Sequence, residues 1–338
     1  MTTPTLPTIP VADLHCDLLH YLVRAKGADL HTIEDIGASL PHLEVGHVEL
    51  QTMAIFTTTE SGSSKWGDKQ VDRFVKLGHE PAFHPIRKTS ELRQAMADHK
   101  IGIVAAVENA SGFCEQDEPL SYGLERLEEW IARVGRILYI SLTHHTENRF
   151  GGGNYADHVG LKDDGQALLD WLDDRQICVD LSHASDQLAQ DIFDYLDRYG
   201  LNVPVIASHS NFRSVWQNAR NLPDELAQEV LHRGGIIGLN LVRAYVDDEE
   251  PSRFFDHLMH GWETLNAPSQ IVFGADFFYV HDFPDPSRYP LFHAQHANAS
   301  QYPHLLQALT TRGFDEAQLK ALAHGNVVNF LGNIWNGG

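Results

Sequence analysis

The strongest constraint in this chain is an alternation of short apolar runs, rich in β-branched residues, with stretches of helical periodicity. Eight such runs occur, at residues 11–14, 50–57, 101–107, 137–142, 177–181, 203–207, 235–240 and 270–274. Runs that stay apolar at successive positions suit strands covered on both faces, as in a parallel sheet. Helical patterns lie between most of them. The segment 163–174 opens with acids and places Leu168, Leu169 and Leu172 on one face, and 186–199 follows the same logic. The segment 223–233 has Pro223 in its first turn, acids after it and His232-Arg233 at its close, in keeping with the helix dipole. Segments 253–265, 302–312 and 315–324 complete the set. Eight strands alternating with helices in this way predict an α/β fold, a (β/α)8 TIM barrel, whose usual length is about 250 residues. Residues 1–338 are expected to form one barrel domain. A dinucleotide-binding sheet would need G-x-G-x-x-G after the first strand, and Asp13-Leu14-His15-Cys16-Asp17 stands there instead.

Charge and composition narrow the partners. With 25 basic and 46 acidic residues the net charge is −21, which argues against nucleic acid and against a polybasic membrane surface. The first ten residues lack the basic and apolar regions of a secretory signal, and no run approaches the length of a membrane span. A cytoplasmic location is therefore expected. The three cysteines, Cys16, Cys114 and Cys178, form neither a disulfide framework nor a CxxC knuckle and read as packing residues. What remains is a protein with 21 histidines.

Their placement carries the chemistry. In barrels of this type the reacting groups stand at the carboxyl ends of the strands. The first run ends in His15 and Asp17, the third in Glu108, the fourth in His144-His145, the fifth in His183, the sixth in His209 and the eighth in Asp276. Six of eight runs thus deliver a His, Asp or Glu to one rim. His15 and Asp17 are two apart, so they point the same way and can share one ion. His183 and His209 can hold a second, with Glu108 bridging. Imidazole and carboxylate together suit zinc or a related divalent metal. Two such ions, about 3.5–4 Å apart, clamp a hydroxide and polarise a carbonyl. That is hydrolase chemistry.

In these residues the chain resembles the membrane (renal) dipeptidase family, zinc peptidases with an amidohydrolase-like barrel. Asp13, His15 and Asp17 match its Asp-x-His-x-Asp, and Glu108 in IVAAVENA matches its acid after the third strand. Leu142-Thr143-His144, Asp180-Leu181-Ser182-His183, Ser208-His209-Ser210, Arg220-Asn221-Leu222-Pro223-Asp224 and Gly274-Ala275-Asp276-Phe277 match five further motifs in order. The resemblance covers roughly residues 11–333. It implies a dipeptidase with two zinc ions and a metal-bridging hydroxide. One ion would be held by His15 and Asp17, the other by His183 and His209, with Glu108 shared. It further implies that His144 polarises the scissile carbonyl, a part open to His145 as well, that Asp276 moves protons, and that Arg220 grips the substrate's free carboxylate. For Asp276 alone a helix-cap role stands as the plainer alternative.

Two departures stand out. The family follows Asp-Phe with Asp-Gly, where this chain has Phe278-Tyr279, and the segment after His144 runs His145-Thr146-Glu147-Asn148-Arg149-Phe150 into three glycines. Both belong to strand-end loops, which set substrate choice. Metal-dependent hydrolysis of N-acyl amino acids or lactones is accordingly the alternative activity, and a non-catalytic barrel that binds a ligand or partner is the alternative class. A carboxylated-lysine site is disfavoured, since no lysine ends the fourth or fifth run. The expected partner is a small amide with a free carboxylate, with a homo-oligomer compatible.

Overall fold

All eight apolar runs become strands because each is buried on both sides, and the sheet they form is parallel throughout. The computed structural model describes residues 8–335. The strands are β1 (Val11–Cys16), β2 (Val48–Phe56), β3 (Phe83–Pro85), β4 (Ile101–Glu108), β5 (Ile137–Ser141), β6 (Cys178–Asp180), β7 (Val205–Ile206), β8 (Ile237–Leu239) and β9 (Ile271–Phe273). Their order is β7-β6-β5-β4-β2-β1-β9-β8, with β3 pairing only with β4. The two ends of this path meet: Ala207 bridges Ile237 in parallel. There the Ala207 amide donates to the Ile236 carbonyl at 3.1 Å, and Gly238 donates back to Ala207 at 2.8 Å. The result is an eight-stranded parallel barrel, as the alternation predicts.

Close approach at this seam needs glycine. A Cβ on Gly238 or on Gly274 would stand 2.0 Å from the Ser208 carbonyl oxygen, inside any allowed contact. At the other end of the barrel, Val327, Phe330 and Leu331 of the helix Asn326–Trp335 join the cluster that contains Ala12, Leu14, Val104 and Ile206. Asn326 donates to the carbonyls of Pro268 and Ile271 at the start of β9, so this helix covers the end opposite the functional rim.

Helices follow the strands with local causes. Ser185 caps Asp186–Tyr199 by accepting from the Leu188 amide, and Gly200 ends it in the left-handed region. Asp315 and Gln318 form a reciprocal capping box ahead of Glu316–Lys320. The structure differs from the sequence pattern in four respects. Three helices of the first half, Ser63–Leu77, Thr89–Ala97 and Leu120–Val134, fall outside the helical segments named above. In Ser63–Leu77 part of the buried stripe is polar or bare, Gly67 and Gln70, because Gly67 lies against the Trp130 ring, where a Cβ would meet it at 2.3 Å. The segments 253–265 and 315–324 both open as α-helix and widen into π turns, His260–Thr264 and Ala321–Gly325. The short β3 has too few residues to show a pattern.

The fourth difference matters for function. Asp13 pairs with Gln51 and Cys16 with Met53, so β1 carries one residue more than β2 over that span. Asp13 consequently turns outward, accepting from the Tyr302 hydroxyl at 2.7 Å and from the His15 and Ala275 amides at 3.0 Å each. His15 turns inward. Among the described residues no helix is long and apolar enough to cross a membrane.

The seam argument has a direct test. Gly238→Ala must push β8 away from the Ser208 carbonyl just past β7, and is expected to cost roughly 1–3 kcal/mol. Urea unfolding checks this as a lower midpoint with an unchanged slope.

Candidate metal centre

Glu108, the last residue of β4, stands at the centre of the rim and is almost fully buried. Its Oε1 lies 2.9 Å from His183 Nε2, 3.5 Å from His209 Nε2 and 3.9 Å from His144 Nε2. Its Oε2 lies 3.3 Å from His15 Nε2. Two overlapping donor sets follow, His15 with Asp17 and Glu108, and His183 with His209 and Glu108, the atoms of each within 4.8 Å of one another. Asp276 joins His15 and His209 in a third set, and His144, His145 and His183 form a fourth. Glu108 is thus common to two His-containing sets, and the structure brings His15, Asp17, His183 and His209 around it.

Two histidines have their proton positions fixed from behind. The Tyr139 hydroxyl donates to the Leu14 carbonyl at 3.0 Å, so its oxygen accepts from His15 Nδ1, 2.6 Å away. The Ser208 hydroxyl donates to Asp180 Oδ2 at 2.8 Å and accepts from His209 Nδ1 at 2.7 Å. Both rings therefore carry hydrogen on Nδ1 and aim an Nε2 lone pair at the cluster. Asp180 is itself held by four donors: the Ser182 and Ser208 amides and the hydroxyls of Ser141 and Ser208.

Lone pairs facing carboxylate oxygens repel unless a proton or a cation stands between them. His15 Nε2, Asp17 Oδ1 and Glu108 Oε2 are buried and find no hydrogen-bond partner among the described residues. Burial pushes the Glu108 carboxyl up to about 8, against the nearby Arg220 charge, which pulls it down. Asp17 is raised well above the usual carboxylate range, first by burial and then by Glu108. Burial also holds His183, His209 and His144 well below the usual imidazole range, so they are neutral donors of electron pairs. Neutral imidazoles, reluctant carboxylates and orphaned acceptors fit divalent metal, which removes both the repulsion and the need for protons.

The remaining expected residues fall around this centre. Asp17 follows β1 directly and opens the helix Leu18–Arg24. Asp276 is brought in by the loop after β9, whose Asp276 amide donates to the His15 carbonyl and whose Phe277 carbonyl accepts from the Asp17 amide. Asp276 caps no helix among the described residues. Its Oδ2 accepts from Asn240 Nδ2 at 2.8 Å, leaving Oδ1 to face His15 Nε2 at 3.7 Å. Burial raises its carboxyl to about 6. Arg220 is buried behind His209, donating to the Ser210 hydroxyl and the His209 carbonyl, with Nε unpartnered among the described residues. His144 stands beside Glu108. His145 stacks on Tyr155 and shares its Nδ1 with Asn154 Oδ1 at 2.9 Å.

Above the cluster opens a cavity of about 430 Å3, with Glu108, His144, His183 and Asp276 at its floor and Phe56, Trp66, Tyr245, Phe278 and Arg288 among its walls. Tyr139 lies within its strand and most wall residues lie well along loops, so neither shows a strand-end signature. Asp180 and Ser208 carry one weak signal, since each lies within three residues of a histidine at the end of a strand.

Comparison with known proteins bears on the family and the fold. A family model described as membrane dipeptidase (peptidase family M19) matches residues 3–336. Dipeptidase aclJ of Aspergillus oryzae is 26% identical over 206 residues, covering 59% of this chain and 45% of that protein. Dipeptidase 3 of Mus musculus is 29% identical over 212 residues, covering 59% of this chain and 39% of that protein. The chain thus aligns with less than half the length of these curated relatives. A solved structure described as the dipeptidase AC, a metallo peptidase, superposes with a TM-score of 0.81 at 21% identity, covering 97% of this chain and 99% of that one. A metallo peptidase from Rhodobacter sphaeroides, solved with a phosphinate mimic of the dipeptide L-Ala-D-Ala, gives 0.80 at 20% identity, covering 97% and 100%. These two likenesses establish the barrel fold.

The supports behind the histidines can be tested apart from any activity. Tyr139→Phe and Ser208→Ala each free a ring to take the wrong tautomer, and each should lower divalent-metal affinity by about 10–100-fold. Chelator competition measures it, with circular dichroism confirming the fold. Because burial holds the Glu108 carboxyl up to about 8, metal loading at pH 7 should expel protons and tighten as pH rises from about 6 to 8. Calorimetry in buffers of different ionisation enthalpy reads the proton count directly.

Proposed function

Since the chain belongs to the membrane dipeptidase family, peptidase family M19, we propose that it is a metal-dependent dipeptidase, its residues 1–338 acting as one catalytic domain. The observation that supports this most is the placement of Glu108 between two histidine-containing donor sets, with its Oε2 and His15 Nε2 unpartnered among the described residues. His15 and Asp17 would hold one divalent ion and His183 and His209 another, with Glu108 reaching both and zinc suiting the donor set. Bound there, the ions would supply Lewis acidity and a water acidic enough to ionise near neutral pH.

The chain's own groups then divide the work. Asp276, fixed by Asn240 through one oxygen, uses the other to take a proton at the reacting centre and pass it to the leaving amine. A carboxyl raised to about 6 is matched to both halves of that transfer. His144, kept neutral by burial, donates a hydrogen bond to the carbonyl oxygen as its negative charge develops. Arg220 is anchored by two of its N–H groups and keeps others for a substrate carboxylate. The walls of the cavity exclude water around these groups.

Three measurements bear on this. A panel of dipeptides against N-acyl amino acids and lactones should show turnover of dipeptides, and turnover of the other classes alone would replace the proposed activity. Asp276→Asn should lower kcat by about 10²–10⁴-fold with metal content kept. Arg220→Ala should raise KM for dipeptides with a free carboxylate far more than for their amides. An equal effect on both would remove Arg220 from carboxylate binding.

A further inference from the structure

The cavity holds a cation that the proposed chemistry does not use. Arg288 comes from the turn Pro286–Arg288, in the long segment after β9, and lines the cavity alongside Phe278, Phe283 and Tyr245. The backbone of this turn is pinned. Arg243 donates from Nη2 to the Arg288 carbonyl at 2.8 Å and from Nε to the Pro290 carbonyl at 2.6 Å. The Arg243 amide donates to Leu291, and Asp285 accepts from the Ser287 amide at 3.0 Å. A fixed backbone thus presents a half-buried side chain whose guanidinium has no hydrogen bond or ion pair among the described residues. In a chain with 46 acidic residues, an arginine left unpaired beside aromatic walls is available rather than neglected. Its charge is felt at His145 and at Tyr245, on other walls of the same cavity, and at Asp285 of its own turn, whose carboxylate stands beyond ion-pair distance.

A dipeptide has one α-carboxylate, which under the proposed function falls to Arg220, buried behind His209. A second guanidinium, separate from the first and partly shielded from water, fits a second carboxylate, which it can grip through two parallel N–H donors. We propose that Arg288 is a specificity-determining residue that reads a carboxylate side chain, so that the preferred substrates are dipeptides containing aspartate or glutamate. The inference rests on the dipeptidase reading and deepens it.

The test compares acidic dipeptides with their amide isosteres on the metal-loaded protein: Ala-Glu against Ala-Gln, Glu-Ala against Gln-Ala, Ala-Asp against Ala-Asn and Asp-Ala against Asn-Ala. The expected result is a kcat/KM ratio of about tenfold or more in favour of the acid for at least one pair, as a charge-assisted bond gives. Arg288→Gln should bring that ratio to within about twofold, and Arg288→Lys should keep part of it. A wild-type ratio below about twofold in every pair overturns the proposal, as does a ratio that Arg288→Gln leaves intact. Calorimetric binding of the same pairs to metal-free protein separates the two readings. If no dipeptide is turned over, the dipeptidase reading fails, and the binding ratio with and without Arg288→Gln decides this proposal alone. Absence of an acid preference in binding then overturns it.

Discussion

A buried carboxylate faced by imidazole lone pairs is the interaction around which the structure is arranged. Glu108 Oε1 has His183 Nε2 at 2.9 Å and His209 Nε2 at 3.5 Å, and Oε2 has His15 Nε2 at 3.3 Å. Protons can relieve the repulsion, and burial raises the Glu108 carboxyl in keeping with that. A dication relieves it better, because it satisfies the lone pairs and the carboxylate together. The architecture is what makes so unfavourable a juxtaposition possible. A closed parallel barrel brings the ends of β1, β4, β6 and β7 to one rim and holds them there through strands buried on both faces.

The supports of that rim also close the barrel. Asp180, at the end of β6, accepts from Ser141 of β5 and from both the amide and the hydroxyl of Ser208, just beyond β7. One carboxylate thus ties three neighbouring strand ends and, through the Ser208 hydroxyl, sets the tautomer of His209. The Ser208 carbonyl, in turn, is the atom that Gly238 and Gly274 approach too closely for any side chain. Fold and site are consequently hard to perturb separately here. A change that loosens the β7–β8 seam also turns an imidazole.

Much of this was legible in the sequence, for reasons that differ by element. The barrel was legible because continuous apolar runs report burial on both faces, and the rim because chemistry-bearing residues recur at the ends of those runs. The inward turn of His15 and outward turn of Asp13 were not, since the extra residue in β1 arises from pairing with β2 and leaves no local mark. Spacing put His15 and Asp17 on one face but could not set Asp13 apart from them. Tyr139 was hidden for a related reason: it sits inside an apolar strand as one more large residue, and only the fold shows its hydroxyl behind His15. The helix Ser63–Leu77 was obscured because part of its buried stripe consists of Gly67 and Gln70. Arg288 was invisible to strand-end logic, lying well down a loop whose course is set by Arg243.

The rim also carries backbone strain where the chemistry is. Asn109, His183 and Asp276, each at or just past the end of a strand, adopt φ of +74°, +69° and +63°. For non-glycine residues this region costs on the order of 1–3 kcal/mol each. Each is held by bonds that fix the turn: Asn109 donates to the Thr57 carbonyl, the His183 carbonyl accepts from the Asn154 amide, and the Asp276 amide donates to His15. Glycine would relax these positions but could not supply the imidazole of His183 or the carboxylate of Asp276, and at Asn109 it would lose the side-chain bond to Thr57. The strain is the consequence of turning a side chain inward at the moment the strand ends, which is where a barrel must place reactive groups to have them converge. Residues further along the loops, Phe278 and Arg288 among them, are free of that geometric demand. They can vary the shape and charge of the cavity without disturbing the centre.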